Sequence, residues 1–192
     1  TFVDISLYIL LSMLIIGCTK EQDSYAQKSS NFSIQYPDYI SMPISKKTLS
    51  EQKVTLGKQL FFDTNLSSDG TISCATCHKP ELAFSDDTPL SPKGVPKTKL
   101  IRNSPPLFNL AWHTNFFWDG GATNLRSQAI APLTAKNEMN GDIESIIDYL
   151  NENPSYKKHF NEIYNATPST AFLLDALAEY EFSITSFNTK YD

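Results

Sequence analysis

Two cysteines and a histidine at close spacing carry the most specific chemistry in this sequence. They lie in Ser73-Cys74-Ala75-Thr76-Cys77-His78-Lys79, a C-x-x-C-H motif. Such a pentapeptide reads as an attachment site for a c-type haem. Each thiol can form a thioether to one vinyl group, and the histidine then falls beneath the iron as its proximal ligand. What a protein does with such a haem depends on what it offers the opposite face of the iron. A four-ligand zinc site is the competing use of these residues. It fails because the chain has just one further cysteine, Cys18, and two further histidines, His113 and His159, none placed to complete it.

The elements that must position this motif come from a chain of 192 residues, enough for one ordinary domain with a real core. A hydrophobic fraction of 41% and a charged fraction of 19% fit a globular protein rather than a disordered one. Aromatic residues make up 12%, which suits the burial of a large flat cofactor. A net charge of −5 with no basic stripe excludes nucleic acid as a partner class.

Residues 5–16 form a short apolar run, too short to span a bilayer comfortably and the right size for the core of a signal peptide. It ends at Ile15-Ile16-Gly17-Cys18, which resembles a bacterial lipoprotein box. Residues 1–17 are therefore read as a signal segment with an incomplete start, and Cys18 as the lipidated residue. A membrane-anchor helix with an incidental cysteine is the competing reading. Residues 18–47 are polar and proline-containing, and read as a lipidated tether followed by an extended arm over residues 36–40. Either reading places residues 48–192 outside the cytoplasmic membrane, where c-type haem is attached.

Beyond the arm the pattern is helical. Ser50 can cap a helix through Phe62 that turns Val54, Leu56, Leu60 and Phe61 inward. Asn124 can cap a short helix through Ala131, stopped by Pro132. Asp142 precedes Ile143, Ile146, Ile147 and Leu150 at helical spacing, ending near Pro154; Ser155 begins the next. Thr167 and Pro168 then read as a cap and first-turn residue before Phe172, Leu173, Ala176, Leu177, Tyr180 and Ile184. Residues 79–106 hold six prolines, so they predict a long loop wrapped around something. No strand pattern of any strength appears. The expected class is mostly α, a c-type cytochrome-like haem domain with long loops.

Several strings in order resemble one family. They are Leu56-Gly57-Lys58-Gln59-Leu60-Phe61-Phe62-Asp63, the haem motif, Ala83-Phe84-Ser85-Asp86, Arg102-Asn103-Ser104-Pro105, Phe117-Trp118-Asp119-Gly120-Gly121, Gln128, Glu138-Met139 and Ser183-Ile184-Thr185-Ser186-Phe187-Asn188. Together, over residues 50–192, they resemble the amino-terminal half of the bacterial dihaem cytochrome c peroxidases and the related MauG proteins. That family has two haem domains, and here there is one C-x-x-C-H. The resemblance implies that residues 48–192 are the peroxidatic haem domain, truncated before the half through which electrons enter.

The resemblance also implies roles. Glu138 is the acid/base at an open distal site, with Gln128 beside it. Trp118 lies between the haems on the electron route. Asn103 matches a ligand of a calcium ion at the domain junction, whose other oxygens would come from the second half. Arg102 carries the guanidinium fork that suits a haem propionate. In many members a distal histidine fills the sixth iron position, but residues 91–95 contain none. With His113 read as structural and His159 as solvated, the haem is expected to be five-coordinate or water-bound. Met139, beside Glu138, is read as packing, and Met42 sits in the arm.

The implied function is reduction of hydrogen peroxide to water, with electrons from a small c-type cytochrome or cupredoxin. Oxidation of a protein substrate in the MauG manner shares the same pocket. A monohaem electron carrier needs a strong sixth ligand, usually methionine, and Met42 and Met139 are the candidates beyond the signal segment. A surface lipoprotein module that binds haem without turnover is the remaining reading. The expected location is the periplasm, anchored by lipid at Cys18, and the reading admits a homodimer.

Overall fold

The computed structural model describes residues 30–42, 48–88, 90, 93–95, 97 and 99–190. The signal-like segment, Cys18 and most of the tether lie outside these residues. No helix among the described residues is long and apolar enough to cross a membrane.

Two helices form the spine. Helix α1, Glu51–Phe62, starts where the Ser50 hydroxyl accepts the Lys53 N–H at 3.4 Å, as expected for a serine cap. It buries Leu56, Gly57, Leu60 and Phe61 against the last helix, which spans Thr170–Ser183. Gly57 sits where the two backbones come closest: a Cβ there would meet the Ala176 carbonyl and the Tyr180 Cβ. Between them in sequence come α2 (Cys74–Cys77), α3 (Leu125–Gln128), α4 (Ile130–Thr134), α5 (Ile143–Glu152) and α6 (Pro154–Tyr164), so the final helix is α7. The main core joins α1, α4, α5, α6 and α7 through Phe61, Leu133, Leu150, Phe160 and Leu173, all at most 1% exposed.

Helix boundaries differ from the sequence reading in three places, each through turn chemistry. Pro132 does not stop the helical segment capped by Asn124. The chain breaks at Ala129, and Pro132 falls in the first turn of α4, where its missing N–H costs nothing. Helix α6 starts at Pro154 rather than Ser155, because Asn153 Oδ1 accepts the N–H groups of Ser155 and Tyr156 at 3.0 and 3.3 Å. Helix α7 is capped by Ser169, two residues after Thr167, with its hydroxyl accepting the Phe172 N–H at 3.4 Å.

The arm is stitched to the body. Strands β1 (Asn31–Phe32) and β2 (Leu49–Ser50) pair antiparallel, Asn31 opposite Ser50 and Phe32 opposite Leu49. A ladder of two residues is too short to leave an alternation in the sequence. Ile34 and Leu49 join Leu110, Phe116, Leu125, Ala178 and Phe182 in a second core cluster. The Trp112 indole donates to the Ser41 carbonyl at 3.1 Å, and its ring meets Tyr36 edge-on.

Asp63, just past α1, ties two helix ends together. Its carboxylate accepts the Tyr149 and Tyr156 hydroxyls at 2.9 and 2.8 Å, and the Asn65 N–H at 2.9 Å. Asp63→Ala strips both tyrosines of their acceptor. A loss of about 1–3 kcal/mol is expected, read as a lower denaturation midpoint with the slope unchanged.

Candidate haem site

The motif folds as a single helical turn. The Ser73 N–H donates to Thr76 Oγ1 at 3.0 Å, and the Thr76 N–H donates to the Ser73 carbonyl at 3.0 Å. The His78 N–H closes the turn on the Cys74 carbonyl at 2.9 Å. This puts Cys74, Cys77 and His78 on the wall of one cavity of about 730 Å³. Both cysteines are half-buried. Burial, helped by the Glu181 carboxyl, pushes Cys74 up to about 12, and burial pushes Cys77 up to about 11. As free thiols they are therefore poor nucleophiles.

His78 is oriented from behind. Ala83 and Phe84 both adopt left-handed backbone, and Phe84 N–H returns to the Lys79 carbonyl at 2.8 Å. That turn aims the Phe84 carbonyl at His78 Nδ1, 2.9 Å away. A carbonyl can only accept, so Nδ1 carries the proton and Nε2 is left with its lone pair. Burial lowers the pKa of the ring and keeps it neutral, the form a metal ligand requires.

The rest of the cavity lining comes from the proline-rich loop and from the turn after α4. Leu100, Pro105 and Pro106 of the loop, and Leu107 just after it, line the cavity. The turn is held by backbone bonds: Glu138 N–H to Ala135 O at 2.9 Å, Gly141 N–H to Leu133 O at 2.7 Å, and Val95 N–H to Glu138 O at 2.7 Å. Glu138 and Gln128 both line the cavity. The Glu138 carboxyl takes no hydrogen bond from any described residue, and burial raises its pKa. Met139 is 4% exposed in the main core beside them.

The other residues singled out lie at the rim. Trp118 is 63% exposed, its indole donating to the Asn103 carbonyl at 2.7 Å. Asn103 Oδ1 accepts the Leu90 N–H at 3.2 Å. No group of three or more His, Cys, Asp or Glu side chains among the described residues could hold a metal ion. Arg102 pairs with Asp119 at 2.8 Å and holds that carboxyl below the usual carboxylate range. His113 is exposed on the cavity rim, and His159 is half-buried on α6.

One acid in the wall escaped the sequence reading. Glu181 is 7% exposed on α7, and its Oε2 has no hydrogen-bond partner. Its signal was available: it follows Leu173 and Leu177 at spacings of eight and four residues, a charged residue on an apolar stripe.

A half-buried pair of cysteines, a neutral imidazole oriented by the Phe84 carbonyl, an apolar wall and an orphaned carboxyl oxygen fit a covalently attached haem. The fold and site are those of a mostly helical domain built to receive one. Residues 51–192 match the family model described as di-haem cytochrome c peroxidase. The methylamine utilization protein MauG of Methylorubrum extorquens is 36% identical over 179 residues, covering 92% of this chain and 50% of that protein. The cytochrome c peroxidase Ccp of Escherichia coli is 36% identical over 152 residues, covering 78% of this chain and 32% of that one. A crystal structure of a MauG-like protein associated with microbial copper homeostasis superimposes with a TM-score of 0.75 at 27% identity, over 83% of this chain and 49% of the other. The chain belongs to the di-haem cytochrome c peroxidase family, whose members are oxidoreductases that carry haem c. It spans about half the length of the MauG relatives it matches.

Proposed function

We propose that residues 48–192 form the peroxide-reacting domain of a two-haem enzyme, with haem c attached at Cys74 and Cys77 and His78 beneath the iron. The observation that carries this is Glu138: an unpaired carboxyl on the cavity wall with its pKa raised by burial. The haem, when bound, supplies the redox chemistry that splits the O–O bond. Glu138 supplies proton transfer, taking a proton from the near peroxide oxygen and returning it to the far one. A carboxyl moved toward neutral pH both accepts and returns a proton more readily than an ordinary glutamate. Each hydrogen peroxide takes up two electrons and two protons and leaves as two waters.

Around this acid/base, Gln128 would orient the peroxide by hydrogen bonding, and the apolar wall would exclude bulk water. Arg102 would hold a propionate at the rim by exchanging partners with Asp119. Trp118, exposed beside Asn103, would pass electrons from the second haem, which a small c-type cytochrome or cupredoxin reduces. Asn103 would supply one oxygen to a calcium ion completed by the second domain. The same pocket would serve oxidation of a protein substrate, a reading favoured by the exposed Trp118 and the match to MauG. The protein would work in the periplasm, held to the membrane by lipid at Cys18.

The ferric holoprotein is expected to show a five-coordinate or water-bound haem, because residues 91–95 contain no histidine. The reduced form is expected to reoxidise rapidly when mixed with peroxide in a stopped-flow instrument. A low-spin, methionine-ligated haem inert to peroxide would instead identify an electron carrier. A low-spin bis-histidine spectrum would assign His113 or His159 to the sixth position.

A further inference from the structure

Glu181 is the buried acid that the proposed peroxide chemistry does not use. It stands in the last turn of α7 and borders the cavity with Phe61, Cys74 and Leu177. Its Oε2 is buried without a donor, and no arginine or lysine forms a salt bridge with it among the described residues. Burial alone pushes its carboxyl up to about 8. Its neighbour on α7, Glu179, is by contrast satisfied by the Ser50 N–H at 3.0 Å and by Arg126 at 4.0 Å.

Of the other ionisable groups near it among the described residues, Glu138 is likewise unpaired, and that acid is the one the proposed peroxide chemistry uses. From α2, Cys74 and Cys77 are consumed in thioethers and His78 is committed to the iron. On α7, Tyr180 is driven upward by burial and by Glu181 itself. Helix α1 meets this part of α7 with Phe61, and its Lys53 is committed to Asp175 at 2.7 Å. The cavity lining also holds Glu138 and, at the rim, His113 and the Arg102–Asp119 pair.

We propose that Glu181 is a proton site tied to the redox state of the haem held at Cys74. When the iron gains one electron, the Glu181 carboxylate takes one proton from solvent; when the electron leaves, the proton returns. The electron comes from any one-electron donor, whether a redox protein, dithionite or an electrode. The physical reason is charge compensation. Reduction adds one negative charge to a cavity from which water is excluded, where a charge is felt strongly at short range. A carboxylate paired with arginine would stay ionised in both states, and a solvated one would be screened. Glu181 is neither. The reduced state therefore binds the proton more tightly, and the midpoint potential falls as pH rises between the carboxyl pKa values of the two redox states.

This inference rests on the haem attachment read above and is independent of peroxide turnover. The test is a spectroelectrochemical titration of the haem in the holoprotein from about pH 6 to about pH 10, a window set around an acid of this raised pKa, with Glu181→Gln in parallel. The unmodified protein should show a potential that falls with pH, centred in that window, and the variant should lose that slope while any slope from the propionates remains. Redox-difference infrared spectra of the unmodified holoprotein near pH 8 provide a second readout if the variant fails to fold. A protonated-carboxyl band should grow on reduction. Equal slopes in both proteins, or no carboxyl band on reduction, overturn the inference while haem attachment stands. Haem extracted by acidified solvent would overturn the attachment and the inference with it.

Discussion

Glu138→Gln is expected to slow the peroxide reaction of the holoprotein by about 10²–10⁴-fold, the usual contribution of a positioned acid/base. Glutamine keeps the volume and polarity of the side chain but can neither accept the peroxide proton nor return it. The loss should fall on kcat/KM without changing haem content or the protein's melting temperature. The pH profile provides the sharper check. The reaction needs the carboxylate, so its rate should fall as pH drops through the Glu138 pKa. Burial raises that pKa, so the acid limb should lie above the ordinary glutamate range. In Glu138→Gln that limb should vanish. An unchanged rate, or an unchanged limb, would remove Glu138 from the mechanism.

Gly57→Ala is expected to destabilise the protein even though alanine is the better helix former. A Cβ at this position collides with the Ala176 carbonyl oxygen and comes within 2.7 Å of its carbon and 2.8 Å of the Tyr180 Cβ. The oxygen and carbon are α7 backbone, which cannot rotate away, so the two spine helices must move apart. Overpacking of this kind costs about 1–3 kcal/mol and occasionally more. Intrinsic propensity pulls the other way by about 1 kcal/mol. A net loss of a few degrees in melting temperature is expected, at roughly 2–4 °C per kcal/mol for a chain of this size. Because Phe61 of α1 and Leu177 of α7 both line the cavity, haem incorporation should fall with it. A melting temperature equal to or above the unmodified protein's would show that the helices part without cost.

The two variants separate two kinds of legibility. The proposed haem attachment rests on five residues because they are local: one helical turn brings Cys74, Cys77 and His78 to the wall of one cavity. The helices were legible where an apolar stripe and a side-chain cap coincide, as at Ser50 and Asp142. Their ends shifted where two capping residues compete within a few positions, as at Thr167 and Ser169, because neighbouring contacts select the cap. The family resemblance supplied Glu138 and Gln128, since no local spacing links an acid in a turn to a haem motif sixty residues earlier.

What the sequence by itself determined is the class of cofactor chemistry, the mostly helical class and the family. Each of these is encoded in covalent spacing or in periodicity along the chain. Only the tertiary structure decided that the Phe84 carbonyl fixes the tautomer of His78. It also decided that the arm pairs with Leu49 and Ser50, and that Glu181 faces the cavity rather than solvent. Those facts depend on which groups lose their water when distant segments meet. Burial of that kind is a property of the assembled fold, and for Glu181 it turns a side chain that composition would place at the surface into the unpaired acid beside Cys74.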